Sequence, residues 1–158
     1  AQDMKDFANH TNARVRKAFE TARLAHAGQV DKGGVDYINH PLTVANNVGN
    51  DVSAIIVALL HDVAEDTAVT LADLQAEIPL TAAELDALKL LTHDDATPYL
   101  EYVAQIKTNA FAAQVKAADL KHNSDLSRLE HPQRKDLERV EKYRLALEIL
   151  GRKTLDND

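Results

Sequence analysis

Seven consecutive apolar residues, Ala54 to Leu60, run directly into His61, Asp62, Glu65 and Asp66. Such a run leaves no polar stripe at helical spacing, so the helix that carries it has to be buried on every side. The groups that follow then stand at the edge of a dry interior, where an ionised carboxylate is costly unless it is paired or binds a metal. On a continuing helix His61 and Glu65 are four apart, as are Asp62 and Asp66, so each pair projects toward a common side. The dipole at a helix C-terminus favours a protonated histidine but opposes acids, so it accounts for His61 and leaves Glu65 and Asp66 unexplained. A cation with a water attached resolves the burial cost of the whole group and points to a metal-dependent hydrolase.

The remaining sequence reads as helix. Five glycines and four prolines among 158 residues, with many Ala, Leu, Glu and Lys, favour helix over sheet. A first helix is expected from Thr11 or Asn12 to His26 or Ala27, stopped by Gly28. A loop from Gln29 to Asn39, turning at Gly33-Gly34, leads to a second helix opened by His40-Pro41 and ended by Gly49-Asn50. Asp51 or Ser53 caps the apolar helix, and Thr70 caps a short one from Leu71 to Glu77. Thr81 to Glu84 matches a capping box for a helix through Leu91, and Thr97-Pro98 starts another to about Thr108. Two further helices are expected, from Asn109 to about Leu129 and from Pro132 to just before Gly151. With no repeat, linker or convincing strand, residues 1–158 are expected to form a single all-α domain, an orthogonal bundle of about seven helices.

Charge and composition bound the partners. A net charge of -7 argues against a nucleic-acid surface, which needs a clustered basic footprint, but leaves room for a small phosphorylated ligand held by a few local cations. The absence of cysteine rules out disulfides, thiolate metal sites and cysteine nucleophiles. No apolar run approaches a membrane span and no basic-then-apolar leader opens the chain, so a cytoplasmic location and no membrane partner are expected. Homodimerisation is compatible with the sequence, which does not fix the oligomeric state.

Two more stretches put polar groups where core is expected. His40 precedes a helix-opening proline, a fixed corner that suits a ligand; a plain histidine at the N-cap position is the alternative. Asp119 follows an apolar stretch and lies one turn from His122 and Asn123; an acid on a solvated face is the alternative there. Together His40, His61, Asp62 and Asp119 supply two imidazoles and two carboxylates. That mixed set suits Mn²⁺, Fe²⁺ or Zn²⁺, and the lack of thiolate leans away from a structural zinc. Glu65 and Asp66 can orient an attacking water or shuttle its proton. Lys32, Lys116 and Lys121 neutralise phosphate oxygens if they point inward, and are ordinary surface lysines if they do not. His10, His26, His93 and His131 read as structural or exposed.

At these residues the chain resembles the HD-domain phosphohydrolases of the RelA/SpoT type, especially the stand-alone small alarmone hydrolases. The resemblance rests on three blocks: Ala25-His26-Ala27-Gly28-Gln29 with Tyr37-Ile38-Asn39-His40-Pro41, then Leu60 to Thr67, then Val115 to Asp119 continuing to His122-Asn123. They occur in the family's order over roughly residues 20 to 130. It implies an HD-domain bundle in which His40, His61, Asp62 and Asp119 hold one Mn²⁺ and Glu65 and Asp66 activate the water. It implies removal of the 3′-pyrophosphate from guanosine tetra- or pentaphosphate, with no synthetase half. Lys32 and Tyr37 fall on substrate-side positions and Asn123 near the nucleoside. The sequence departs from the family at Asp31, where an arginine usually packs on the base, at Asp36, where proline is usual, and at Leu120, where a cation is usual. These changes spare the metal and water machinery and touch the base and phosphate contacts, so another phosphorylated nucleotide is the alternative substrate and a catalytically silent nucleotide sensor the alternative function.

Overall fold

The computed structural model describes residues 4–152. Its helices follow in the order α1 (Ala13–Ala25), α2 (Asn39–Asn47), α3 (Val52–Leu60), α4 (Val63–Asp66), α5 (Leu71–Glu77), α6 (Ala82–Leu91), α7 (Tyr99–Ile106), α8 (Ala110–Asn123) and α9 (Arg134–Ile149). Among the described residues the only strand-like pairing is an isolated bridge between Val30 and Asp36, so the all-α expectation holds. Among the described residues eight helices have seven residues or more, against about seven expected, and α4 is a single turn.

The helix starts follow the capping residues. The Asn12 side chain accepts from the backbone N–H groups of Arg14 and Val15. Thr70 with Asp73 and Thr81 with Glu84 form reciprocal capping boxes, each satisfying two donors that a helix start otherwise leaves open.

Two helix ends differ from expectation. The apolar helix stops at Leu60 and does not run on through Asp66. His61 keeps helical angles, Asp62 shifts to φ -96°, ψ -5°, and α4 begins as a new turn. The His61 side chain donates from Nδ1 to the Ala58 carbonyl at 2.6 Å, which satisfies the helix end without another turn. Similarly α8 ends at Asn123 and not near Leu129. There the Ser124 hydroxyl donates back to Leu120 O, and Asp125 Oδ1 accepts from Ser127 N. Such local side-chain bonds offer the backbone an alternative to more helix.

The apolar run sits at the centre. Ala54 to Leu60 are at most 1% exposed, and α3 packs against α1, α2, α6 and α8. Truncating a residue such as Leu59 to alanine would cost about 2–5 kcal/mol in lost transfer energy and cavity. Buried Glu84 ties three of these elements together, accepting from Arg14 Nη1 at 2.6 Å, Ser53 Oγ at 2.6 Å and Thr81 N at 2.9 Å. No helix among the described residues is long and apolar enough to cross a membrane.

Candidate metal centre

Two helices packed on α3, together with the end of α3 itself, deliver a single cluster. His40 comes from the first turn of α2, His61 and Asp62 from the corner between α3 and α4, and Asp119 from α8. One ligand atom from each of the four lies within 4.8 Å of the others, and all four side chains are largely enclosed. His40 Nε2 is 2.7 Å from Asp119 Oδ1 and 3.5 Å from Asp62 Oδ2. His61 Nε2 is 3.1 Å from Asp62 Oδ2 and 3.5 Å from Asp119 Oδ1.

The fit to a divalent cation is tested by His61. A carbonyl only accepts, so the short contact with Ala58 O puts the proton on Nδ1. In the neutral ring the lone pair therefore falls on Nε2, which faces the carboxylates and has no hydrogen-bond partner although it is buried. Burial works against a charge on this imidazole, yet Asp62, and then Asp119, hold its pKa well above the ordinary histidine value. The same neighbours act on the acids. Burial would push Asp119 up, but Lys116 and the two imidazoles hold it well below the usual carboxylate range, and His61 draws Asp62 down likewise. The result is a pocket of fixed negative charge around a buried imidazole nitrogen with no hydrogen-bond partner, a donor set that fits a divalent metal.

Around this cluster the structure distributes the other residues singled out in the sequence. Glu65 and Asp66 stand at the open edge, on α4, and line a cavity of about 210 Å³ together with Asp62 and Asp119. Burial raises the pKa of both, and the Asp62 charge adds to the rise. Tyr37 donates its hydroxyl to Asp62 Oδ2 at 2.8 Å and approaches Asp66 Oδ2 at 3.3 Å. Burial, then those carboxylates, push the phenol far above its ordinary value, so it stays a donor. Lys116 points inward to Asp119 Oδ2 at 2.9 Å and lies over the rings of Tyr102 and Tyr99. Asn123 Nδ2 donates to Asp119 Oδ1 at 3.1 Å. Lys32 lines a second, adjoining cavity of about 320 Å³, and Lys121 is half-buried on α8. The two cavities share Tyr37, Asn123 and Tyr143 as a common wall. Asp31, at the position where the family resemblance places an arginine, accepts from Gly33 N and Val35 N and so shapes its own loop.

Several neighbours were not singled out. His93 lines the smaller cavity, gives its backbone N–H to Glu65 Oε2 at 3.2 Å and stacks on Tyr102. Arg139 and Tyr143 reach the larger cavity from α9. His26 is buried, with Nδ1 against Gln29 Oε1 at 2.9 Å, while Gln29 Nε2 donates to Asp66 O. Nothing in the spacing of α6 to α7 or of α9 points at the cluster, whereas the match of the His26 to Gln29 block to a family motif was a usable signal.

A sequence profile of the HD domain matches residues 18–119. The chain is 33% identical over 122 residues to the bifunctional (p)ppGpp synthase/hydrolase SpoT of Escherichia coli, covering 70% of this chain and 17% of that one. It is 35% identical over 114 residues to a guanosine-3′,5′-bis(diphosphate) 3′-pyrophosphohydrolase of Haemophilus influenzae, covering 65% of this chain and 17% of that one. To a probable GTP pyrophosphokinase of Mycobacterium leprae it is 31% identical, covering 87% of this chain and 18% of that one. The chain therefore spans less than a fifth of the length of these relatives. Among solved structures, a metazoan ortholog of SpoT described as hydrolyzing ppGpp shares the fold, with a TM-score of 0.69 at 22% identity over 90% of this chain and 86% of that one.

Proposed function

This chain belongs to the HD-domain family, and on that premise we propose that it removes the 3′-pyrophosphate of guanosine tetra- or pentaphosphate, using Mn²⁺ as its working ion. The observation that carries the reading is the enclosed cluster of two imidazoles and two carboxylates, with the unpartnered His61 Nε2 turned into it, beside an acid pair facing the same cavity. The SpoT and Haemophilus relatives, named for acting on guanosine 3′-pyrophosphates, support the substrate class.

In this reading His40, His61, Asp62 and Asp119 hold the ion. When bound, a divalent cation polarises a phosphoryl oxygen and brings the pKa of a water near neutrality. Glu65 and Asp66 orient that water and take its proton, a role suited to carboxylates whose pKa is raised above the usual range. Tyr37 holds Asp62 and Asp66 at a fixed separation through one hydroxyl. Lys116 keeps Asp119 ionised and thus a competent ligand. The larger cavity, of a volume typical of small-molecule sites, takes the nucleoside, with Lys32 and Asn123 on its wall, whereas Lys121 lines neither cavity.

The test is a Mn²⁺ assay across guanosine and adenosine alarmones, dinucleotide phosphates and ordinary 5′-nucleotides, with products separated chromatographically. Release of pyrophosphate and GDP from guanosine tetraphosphate is expected. Turnover of some other phosphate ester, with every 3′-phosphorylated nucleotide left intact, rejects the substrate. Tight nucleotide binding without turnover, unaltered by Glu65→Gln, makes the protein a sensor.

A further inference from the structure

One helix clamps both nitrogens of His40. Asp119 Oδ1 lies 2.7 Å from Nε2, and His122 Nδ1 lies 2.7 Å from Nδ1. Asp119 and His122 are three residues apart on α8 and so share a face. The His40 and His122 rings are nearly parallel, 16° between planes with centroids 4.9 Å apart. His61 is fixed by other means, through a backbone carbonyl that can only accept.

We infer that His122 is a positioning residue that holds the His40 ring with Nε2 toward the ion and lets its proton sit on Nδ1, which frees the Nε2 lone pair; the inference rests on the metal reading proposed above. Two ring nitrogens 2.7 Å apart hold one proton between them, because two protons collide and two lone pairs repel. With the proton on His40 Nδ1, His122 accepts, and the Nε2 lone pair of His40 is left for the cation. With the proton on His122, the His40 proton stays on Nε2 against Asp119, and no lone pair remains. A carbonyl in place of His122 would fix one arrangement; an imidazole supports His40 in both, before and after an ion is taken up. Partners of this kind behind a ligand histidine fix its tautomer and ring orientation.

The experiment titrates Mn²⁺ into the wild-type protein, His122→Phe and His122→Asn, reading free ion by electron paramagnetic resonance. Phenylalanine keeps the ring and removes both nitrogens; asparagine restores a donor or acceptor at the Nδ1 position. His122→Phe is expected to weaken Mn²⁺ binding about 10–100-fold, and His122→Asn to recover most of the loss. Equal melting temperatures of the two metal-free variants place the loss in the site. In the wild-type protein loaded with diamagnetic Zn²⁺, long-range ¹H–¹⁵N correlation should find the His40 proton on Nδ1. Wild-type affinity in His122→Phe, no recovery in His122→Asn, or a proton on His40 Nε2 in the loaded protein overturns the role of His122. A wild-type protein that binds none of Mn²⁺, Fe²⁺ or Zn²⁺ is a separate result, which removes the metal reading and the role of His122 with it.

Discussion

His61 and Asp62 close one side of an enclosed cluster, while Glu65 and Asp66, only a few residues on, stand at the open edge of its cavity. The first group is fixed by helix packing: its side chains are 4–14% exposed and come from α2, α8 and the end of α3. The second group rides on one turn of helix, too short to hold itself. Three outside bonds pin it: Gln29 Nε2 to Asp66 O, Tyr37 to Asp66 Oδ2, and His93 N to Glu65 Oε2. The contrast follows from what each group is proposed to do. Gripping an ion requires fixed distances and shelter from competing water, whereas handling protons requires water within reach.

The largest effect that tests this division is expected from Asp119→Ala. It deletes a donor and strands the Lys116 ammonium in the interior, so Mn²⁺ binding and turnover should vanish together. Stability should fall by about 3–5 kcal/mol, the cost of an unpaired buried charge. Calorimetric titration alongside a thermal melt checks both, and retained Mn²⁺ affinity would break the assignment of the enclosed region.

Glu65→Gln should separate the regions most cleanly. Turnover of guanosine tetraphosphate is expected to drop about 10²–10⁴-fold, while the Mn²⁺ dissociation constant changes by less than about threefold. A parallel loss of ion affinity would mean that the two regions act as one.

Glu84→Gln calibrates both, being remote from either. Burial opposes ionisation of Glu84, but Arg14, Ser53 and the Thr81 N–H hold its pKa below the ordinary 4.5. Its contribution is therefore complete above that ordinary value and is lost as pH falls through the depressed one. The variant should be less stable by about 1–3 kcal/mol at neutral pH, with the gap narrowing in acid and Mn²⁺ affinity unchanged. Denaturant titrations at several pH values read this directly.

The smallest effect on turnover is expected from Gln29→Met, which cuts the bond to Asp66 O and the one to His26 Nδ1 and leaves the cluster untouched. Of the two, only the bond to Asp66 O holds the acid turn; its loss, about 0.5–1.5 kcal/mol, translates into a roughly 2–10-fold fall in kcat. Steady-state kinetics and Mn²⁺ titration on the same preparation would show the acid turn loosened while ion binding stays constant.

How much of this was legible depended on whether a feature is local. The N-cap at Thr70, the capping box at Thr81, the stop at Gly28 and the uniform apolarity of α3 are decided within a few residues, and the helices formed where those signals stood. The break after Leu60 was not legible, because the four-residue spacing of acids reads the same whether or not His61 turns back to cap its own helix. The end of α8 was likewise hidden behind an apolar pattern that continues to Leu129, while Ser124 and Asp125 diverted the backbone. At the site, the residue types and the match to family motifs pointed to His40, His61, Asp62 and Asp119. His93, Arg139 and Tyr143 arrive from α7's approach and from α9, and only the crossing of helices brings them near. Lys116 shows the limit of residue type: a buried lysine suggests a phosphate, yet its nearest acceptor is a carboxylate of the protein itself.

The wall of the smaller cavity has an optical consequence. The sequence contains four tyrosines and no tryptophan, and Tyr37, Tyr99, Tyr102 and Tyr143 all line that one hollow. Tyrosine emission from the native protein thus originates entirely at the cleft, with no tryptophan elsewhere to mask it. Whatever enters it, whether ion, nucleotide or product, can be followed through the molecule's own light, without a dye or a label.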